Sequence, residues 1–325
     1  MNKPPERTEL LLRRLEWTVL RRLDGLLQGD YRTVLRGSGL DLADLREYQH
    51  HDDVRHIDWN VTARLQTPHV RVYTEDREMS AWFLLDLSPS IDFGSGAQAK
   101  RDLLQGFVAV LARLLTRHGN RVGAVLYHRG VQAVLPPRAG RGQVLRLLHA
   151  LQARTDADPT PPGTTRLHEL LQAANALMRR RASVFVLSDF ISEPGWETPL
   201  AQLAQRHEVL AVRLWDPLEN ELPPLGLLPL HDAETGELLW VDSDDPAFRA
   251  RLAQLAAQRE AALRQTLARA GVDTLELCTG DDLLQALLRF VELRRQRSRN
   301  HAGGAAQRRA PAHLRLVTPT MEAAA

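Results

Sequence analysis

Apolar residues along residues 80–297 come in short runs that alternate with longer amphipathic stretches. Runs such as Ala81–Leu85 and Ser183–Ser188 are typical of strands buried on both faces of a parallel sheet. Stretches such as Lys100–Arg117 instead repeat their apolar residues at the spacing of a helix. Strands that alternate with helices of this length predict βαβ units, and therefore an α/β fold with a doubly wound, mostly parallel sheet and flanking helices.

The same periodicity places each element along the chain. The predicted strands cover 81–86, 121–127, 131–135, 183–188, 209–215 and 274–278, and a hairpin is predicted over 228–241 with its turn at Glu234-Thr235-Gly236. The predicted helices cover 100–117, 143–153, 167–180, 200–206, 246–269 and 282–295. Residues 156–163, which include three prolines, are predicted to form a loop.

The regions on either side of this α/β domain differ from it in composition. Residues 1–79 combine an arginine-rich amphipathic helix over Thr8–Leu27 with an irregular, charged segment, in which Val70–Tyr73 alternates like a strand. The helix is expected to pack on its own domain, although a basic amphipathic helix could also lie on an anionic membrane. Residues 298–325 are rich in Ala, Gly, Arg and Pro and are predicted to form a disordered tail. We therefore predict three regions: 1–79, 80–297 and 298–325.

Composition excludes several classes of protein. A net charge of +2, from 42 basic and 40 acidic residues, gives no electrostatic basis for nucleic-acid binding as the main function. The single cysteine, Cys278, excludes a disulfide framework and a cysteine metal site. No apolar run reaches the roughly 18–20 residues that span a bilayer, and the first residues lack the apolar core of a secretory signal. We expect a cytoplasmic protein without a transmembrane segment.

A cluster of oxygen-bearing side chains follows the first predicted strand of the α/β domain. Asp86, Ser88 and Ser90 form an Asp-x-Ser-x-Ser pattern directly after the apolar run. In open α/β sheets, ligands bind in the crevice at the carboxyl ends of the strands. One carboxylate and two hydroxyls offer only oxygen, which suits Mg²⁺ or Mn²⁺ rather than a soft metal. Ordinary turns and helix caps also use these residue types.

Two later segments complete this pattern. Gly163–Leu167 opens a predicted helix and contains Thr164 and Thr165, and the strand from Ser183 ends at Asp189. The three pieces together resemble the metal-ion-dependent adhesion site of von Willebrand factor A domains. That resemblance implies that Ser88, Ser90 and Thr165 bind Mg²⁺ through their hydroxyls. It also implies that Asp86 and Asp189 hold water molecules of the ion, and that one coordination position stays open for a carboxylate of a partner.

The charged segment before the sheet carries a second constellation. It contains arginines and aspartates that can pair bidentately with each other, and two aromatic residues beside them. These residues are Arg46, Arg55, Arg64, Asp52, Asp53, Asp58, Tyr48 and Trp59. One interpretation is a structural ion-pair network that braces the chain as it enters the first core strand. The other is a recognition surface. Buried ion pairs more often fix geometry than perform chemistry, which favours the first.

The order of these motifs resembles the signature of the domain-of-unknown-function-58 (DUF58) family, a group of bacterial von Willebrand factor A-like proteins. The segments that carry the resemblance are Leu45–Tyr48, Asp52–Trp59, Thr62–Arg64, Val72–Glu78, Asp86–Gly94, Val184–Phe190, Asp216–Glu219 and Asp232–Glu237. Membership implies a von Willebrand factor A-like fold and an accessory protein rather than a catalyst. It also implies a MoxR-type AAA+ ATPase as partner, with which such proteins act as chaperones on a client complex that the resemblance does not identify.

The residues themselves leave open two alternatives to an accessory, or adaptor, protein. Asp86 could serve as the nucleophile of a Mg²⁺-dependent hydrolase or phosphatase, but position 88 is Ser where phosphatases of this pattern carry an acidic general acid. The chain could instead be a scaffold in which the metal site is vestigial and the serines only cap a turn. The sequence lacks a Gly-x-Ser-x-Gly elbow, a His-Glu-x-x-His motif and a phosphate-binding Gly-x-x-x-x-Gly-Lys loop.

Overall fold

The computed structural model describes residues 41–49, 52, 54, 57–74, 80–153, 163–288 and 313–314. These residues fall into two compact units that separate between Met79 and Ser80. The predicted helix over Thr8–Leu27 lies outside the described residues, as do most of the predicted loop 156–163 and the end of the predicted helix 282–295.

The smaller unit contains a hairpin-like pair of strands and a short helix. Strand β1 (Asp41–Glu47) pairs antiparallel with β2 (His69–Thr74), and helix α1 (Trp59–Leu65) lies between them in the chain. The prediction of a strand at Val70–Tyr73 is confirmed. The rest of this segment, predicted to be irregular, is more regular than expected, because pairing with β2 forms a strand that the polar sequence of β1 does not signal.

Helix α1 is held by its two ends. The side chain of Asp58 accepts hydrogen bonds from the backbone N–H groups of Asn60 (3.0 Å) and Val61 (3.2 Å), while its own N–H donates to the His69 carbonyl (2.8 Å). At the other end Gln66 adopts a left-handed conformation, with φ of 57°, and its N–H donates to the Thr62 carbonyl. Through these hydrogen bonds Asp58, which is buried, connects the start of the helix to β2.

The larger unit is built on a seven-stranded sheet. Its strands are β3 (Ser80–Asp86), β4 (Arg121–Tyr127), β5 (Val131–Arg138), β6 (Ser183–Ser188), β7 (Glu208–Trp215), β10 (Asp273–Cys278) and β11 (His313–Leu314). A separate hairpin is formed by β8 (Leu227–His231) and β9 (Leu238–Asp242). The helices are α2 (Lys100–Arg117), α3 (Arg141–Gln152), α4 (Leu167–Leu177), α5 (Glu197–Arg206) and α6 (Pro246–Arg269), followed by helical residues 283–288.

The strand order confirms the predicted doubly wound sheet. It runs β11-β10-β7-β6-β3-β4-β5, and every neighbouring pair is parallel except β4 with β5. From β3 the chain builds outward first through β4 and β5 and then, on the other side, through β6, β7 and β10. The carboxyl ends of β3 and β6 therefore meet at the point where the winding reverses, which is where α/β sheets of this kind bind ligands.

Helices cover both faces of this sheet. On one face Trp82 and Leu84 of β3 pack in a buried cluster with residues of α4 and α5. On the other face Phe83 stacks on Phe185 of β6 with ring centroids 5.2 Å apart, and Phe107 of α2 lies 6.4 Å from the same ring. Alternate residues of each strand thus bury into opposite layers, which explains why the strand sequences are apolar throughout. No helix among the described residues is both long and apolar enough to cross a membrane.

The tail differs from its prediction at two residues. His313 and Leu314 form β11, which pairs in parallel with Thr274 and Leu275 of β10. Strand β10 would otherwise have no neighbouring strand on this edge, and a short segment of the tail can pair with its backbone groups. The prediction of disorder is therefore wrong for these two residues, and the rest of the tail lies outside the described residues.

Removal of the Asp58 cap tests the smaller unit. Asp58→Ala should lower the free energy of unfolding by about 0.5–2 kcal/mol, since two N–H groups of α1 lose their acceptor. Asp58→Asn keeps an oxygen at the capping position and should remain close to wild type. Thermal and urea denaturation measure both variants. An equal loss in Asp58→Asn would mean that the charge of Asp58, and not the cap, carries the contribution.

Candidate metal centre

The first part of the site is the turn that follows β3. Asp86 is fully buried at the end of this strand, and its Oδ1 accepts a hydrogen bond from the backbone N–H of Ser88 at 3.0 Å. Ser88 precedes a 3-10 turn over Pro89–Asp92. This turn brings the hydroxyl oxygens of Ser88 and Ser90 to 3.1 Å from each other. Two hydroxyls at this distance can bind one cation together.

The end of β6 supplies the second part. Ser188 donates a hydrogen bond from its hydroxyl to Asp86 Oδ2 at 2.6 Å, which ties the ends of β3 and β6 together. Asp189 is buried beside it, and its Oδ1 accepts from the backbone N–H of Ile191 at 3.0 Å. The next residue, Phe190, has a positive φ of 60°, a conformation that costs free energy for a bulky side chain. The packing of its ring against Trp196 helps to hold it there.

The loop before α4 supplies a buried threonine. Thr165 lies 2% exposed, whereas Thr164 is exposed and hydrogen-bonds to Glu193 on the surface. The hydroxyl of Thr165 donates to Oε1 of Glu234 at 2.9 Å. The structure therefore places the hydroxyl of Thr165, and not that of Thr164, among the buried oxygen groups.

Glu234, at the tip of the β8–β9 hairpin, joins this group although the sequence did not single out its side chain. Burial and, to a lesser extent, the charge of Asp189 raise the pKa of Glu234, while the hydroxyl of Thr165 and the polar groups of Ser90 oppose that shift. The carboxylate of Glu234 therefore lies beside the polar groups of Ser90. Four segments of the chain thus converge: the ends of β3 and β6, the loop before α4, and the hairpin.

A buried lysine pairs with this site, and the sequence analysis missed it. Lys100, the first residue of α2, is fully buried, and its Nζ donates to Asp189 Oδ2 at 2.8 Å and to the carboxylate of Glu219. Burial lowers the pKa of Lys100, but the charges of Asp189 and Glu219 outweigh burial and raise it, so the ammonium is charged. A signal existed: Lys100 is one of only two lysines among 42 basic residues.

Asp86 is a fully buried acid whose surroundings raise its pKa strongly. Burial and the negative charge of Asp189 raise the pKa of Asp86 to about 7, although the hydrogen bonds from Ser188 and Ser88 favour its ionised form. Lys100 pairs with Asp189 and Glu219, so its charge is already shared by two carboxylates. A divalent cation close to Asp86 would lower its pKa again and hold it ionised.

The residues fit a hard divalent cation. Ser88, Ser90, Thr165 and the carboxylates around them offer only oxygen atoms, which Mg²⁺ and Mn²⁺ prefer. Within the part of the chain that the structure describes, no three His, Cys, Asp or Glu side chains come together as a metal site. An ion here would therefore be held by hydroxyls, with carboxylates acting on its water molecules or as single ligands.

The second predicted constellation lies in the smaller unit and is only partly described. Asp52 accepts a hydrogen bond from the backbone N–H of Gln49 at 2.8 Å, and Trp59 is 70% exposed on α1. Tyr48 is half-buried and Arg64 is exposed. Asp53, Arg55 and the side chain of Arg46 lie outside the described residues. The ion-pair network therefore stays a prediction, and the observed role of Asp58 is that of a helix cap.

Comparison with known proteins gives a consistent set of relatives. The model of the family described as "Protein of unknown function DUF58" matches residues 44–262. An uncharacterized protein of Mycobacterium tuberculosis is 39% identical over 288 residues, which cover 88% of this chain and 89% of that protein. A protein of Paracoccus denitrificans described as "Uncharacterized protein in moxR 3'region" is 37% identical over 105 residues, 32% of this chain and 99% of that protein.

Solved structures resemble the chain more distantly. A von Willebrand factor type A protein from Catenulispora acidiphila is 11% identical, and the match covers 68% of this chain and 43% of that one with a TM-score of 0.38.

Loss of the buried ammonium should destabilise the larger unit strongly. Lys100→Met keeps the apolar stem but leaves Asp189 and Glu219 buried without their partner, a change that typically costs about 3–5 kcal/mol. Arg101→Met is the matched control at the next position, because Arg101 pairs with Asp92, which is half exposed, and such pairs contribute about 1 kcal/mol or less. Urea denaturation compares the two. Similar losses in both variants would contradict the role given to Lys100.

Proposed function

This chain belongs to the DUF58 family, and from that premise we propose that it is a metal-dependent protein-interaction module that works with an AAA+ ATPase. In this proposal the protein is an accessory factor, not a catalyst, in the maturation or assembly of a client complex. Its working site is the cluster at the ends of β3 and β6.

The observation that supports the proposal is a pair of adjoining hydroxyls, those of Ser88 and Ser90, directly after the buried Asp86, together with the buried hydroxyl of Thr165. Ser88, Ser90 and Thr165 would bind Mg²⁺ or Mn²⁺, and Asp86 and Asp189 would orient its water molecules. A bound ion supplies a concentrated positive charge that attracts a carboxylate oxygen. In this proposal the chain's own groups position the ion and keep bulk water away from Asp86.

The hydrogen bonds at the same site argue against a nucleophile. Both carboxylate oxygens of Asp86 accept hydrogen bonds, from Ser88 and Ser188, and the residue is fully buried. The hydroxyls of Ser88 and Ser90 lie within hydrogen-bond distance of each other. A carboxylate nucleophile needs an open path to its substrate, and full burial with both oxygens hydrogen-bonded denies Asp86 that path. The adaptor is therefore favoured over a hydrolase that uses Asp86.

The kind of partner follows from the relatives. The Paracoccus denitrificans relative is described as lying in the 3' region of moxR. Neighbouring bacterial genes often encode proteins that act together, so we propose a MoxR-type AAA+ ATPase as the partner and a carboxylate of that ATPase or of its client as the group that reaches the ion. A charge-assisted contact between a carboxylate and a desolvated ion would make this association depend on metal.

A matched pair of threonine variants tests the metal site. Thr165→Val removes one ligand hydroxyl without changing shape and should weaken Mn²⁺ binding at least about tenfold, as the loss of groups around metal sites does. Thr164→Val removes the neighbouring, exposed hydroxyl and should bind as wild type does. Calorimetric titration with Mg²⁺ and Mn²⁺ measures both. Equal affinities in the two variants, or no binding by the wild-type protein, would remove the site.

Association with the ATPase tests the function. A MoxR-type ATPase from the same organism should co-purify with the wild-type protein and with Thr164→Val in Mg²⁺. Binding should fall sharply in EDTA and in the double variant Ser88→Ala/Ser90→Ala, because each removes the ion. A complex that forms equally well under all these conditions would place the interface elsewhere and contradict the metal-dependent contact.

A further inference from the structure

The tip of the β8–β9 hairpin is a preorganised turn. Asp232 Oδ1 accepts hydrogen bonds from the backbone N–H groups of Glu234 (2.8 Å) and Thr235 (3.3 Å), and the Asp232 carbonyl accepts from the N–H of Gly236 (2.8 Å). Gly236 has a positive φ of 77°, which closes the turn at little cost for glycine. The side chain of Glu234 therefore projects from a fixed backbone.

This tip is attached to the candidate metal centre at one residue. The Glu234 carbonyl accepts hydrogen bonds from the N–H of Gly163 (2.9 Å) and from Nη2 of Arg129 (3.2 Å). Its side chain accepts from the hydroxyl of Thr165 (2.9 Å). The two donors from the loop before α4, the N–H of Gly163 and the hydroxyl of Thr165, thus hold Glu234 in place. Thr165 is also the threonine that is proposed to bind the ion.

One oxygen of the Glu234 carboxylate lacks a partner. Oε2 is buried, and no donor of the described residues forms a hydrogen bond with it. A buried carboxylate oxygen without a donor or a cation is costly, so such an atom calls for an explanation. Its neighbours are the hydroxyl of Thr165 and the polar groups of Ser90, which are both members of the proposed ligand set. A cation shared by these hydroxyls would supply the missing partner.

From this geometry we propose that Glu234 is an internal carboxylate ligand that takes the coordination position otherwise open to an external carboxylate. The inference rests on the proposed metal site and deepens it. Mg²⁺ is bound in proteins by one or two carboxylates together with neutral oxygens and water, and Glu234 supplies such a carboxylate from the chain itself. A partner's carboxylate then binds by displacing Glu234. The affinity of Glu234 for the ion therefore sets how tightly the partner's carboxylate must bind.

The hairpin is suited to leave the site without unfolding the domain. Val241 is the one buried residue of its two strands, and Leu227, Leu238, Leu239 and Trp240 are each more than half exposed. Its strands pair with each other and form a sheet separate from the central one. Withdrawal of the tip therefore breaks a few hydrogen bonds and exposes little apolar surface.

Chemical rescue with acetate tests the inference. Free Mn²⁺, followed by its EPR signal, gives the affinity of the wild-type protein, Glu234→Ala, Glu234→Gln and the control Glu237→Gln. Glu237 is an exposed glutamate on the same hairpin. Loss of a carboxylate ligand should weaken Mn²⁺ binding of Glu234→Ala and Glu234→Gln about tenfold or more, and leave Glu237→Gln unchanged. Millimolar acetate should restore the affinity of Glu234→Ala and have no effect on the wild-type protein, whose position is taken.

The outcomes separate the two proposals. A wild-type protein that binds no Mn²⁺ overturns the metal site and this inference with it. A wild-type protein that binds Mn²⁺ while both Glu234 variants bind it equally tightly, with no effect of acetate, overturns the role of Glu234 alone. Glu234→Gln has nearly the shape of the native residue, and thermal denaturation of each variant separates a lost ligand from a lost fold.

Discussion

Two buried carboxylates at the ends of neighbouring strands dominate the electrostatics of the candidate site in the larger unit. Asp86 and Asp189 end neighbouring strands at a place with little water, where like charges repel strongly. Different donors compensate the charges of these two carboxylates. Ser188 and the backbone of Ser88 donate to Asp86, and the ammonium of Lys100, brought by the start of α2, neutralises Asp189. These contacts join β3, β6 and α2 at the point where the sheet reverses its winding.

This compensation leaves the site with the negative charge that the proposed cation would balance. Lys100 shares its single positive charge between two carboxylates, Asp189 and Glu219, so the site keeps an excess of negative charge when its carboxylates are ionised. Glu234 adds one more carboxylate from a hairpin that is otherwise exposed. In the proposal above, a partner's carboxylate can displace this one. The same feature suits a site that exchanges one carboxylate for another, as an adaptor that binds and releases its partner must do.

Much of this architecture follows from the sequence because it depends on local periodicity. The strands and helices of the larger unit lie where the apolar pattern placed them, and helix α2 has the predicted bounds. Strand β1 was missed because its sequence is polar and its conformation depends on pairing with β2. Lys100 and Glu234 were missed for a different reason. They lie 89 and 69 residues from Asp189 and Thr165, and no local pattern reveals which loops a fold brings together. The segment Asp232–Glu237 carried the family resemblance, but its role becomes visible only in three dimensions.

At the centre of the proposed function, the hydroxyls of Ser88, Ser90 and Thr165 would surround a divalent cation. An anomalous difference map from crystals grown with Mn²⁺ tests this most directly, because it locates the ion without assuming its ligands. We expect one strong peak in direct contact with these three hydroxyls, with an oxygen of Glu234 also in its coordination shell. A map without a peak between the ends of β3 and β6, or with Mn²⁺ bound only at surface carboxylates, would contradict it.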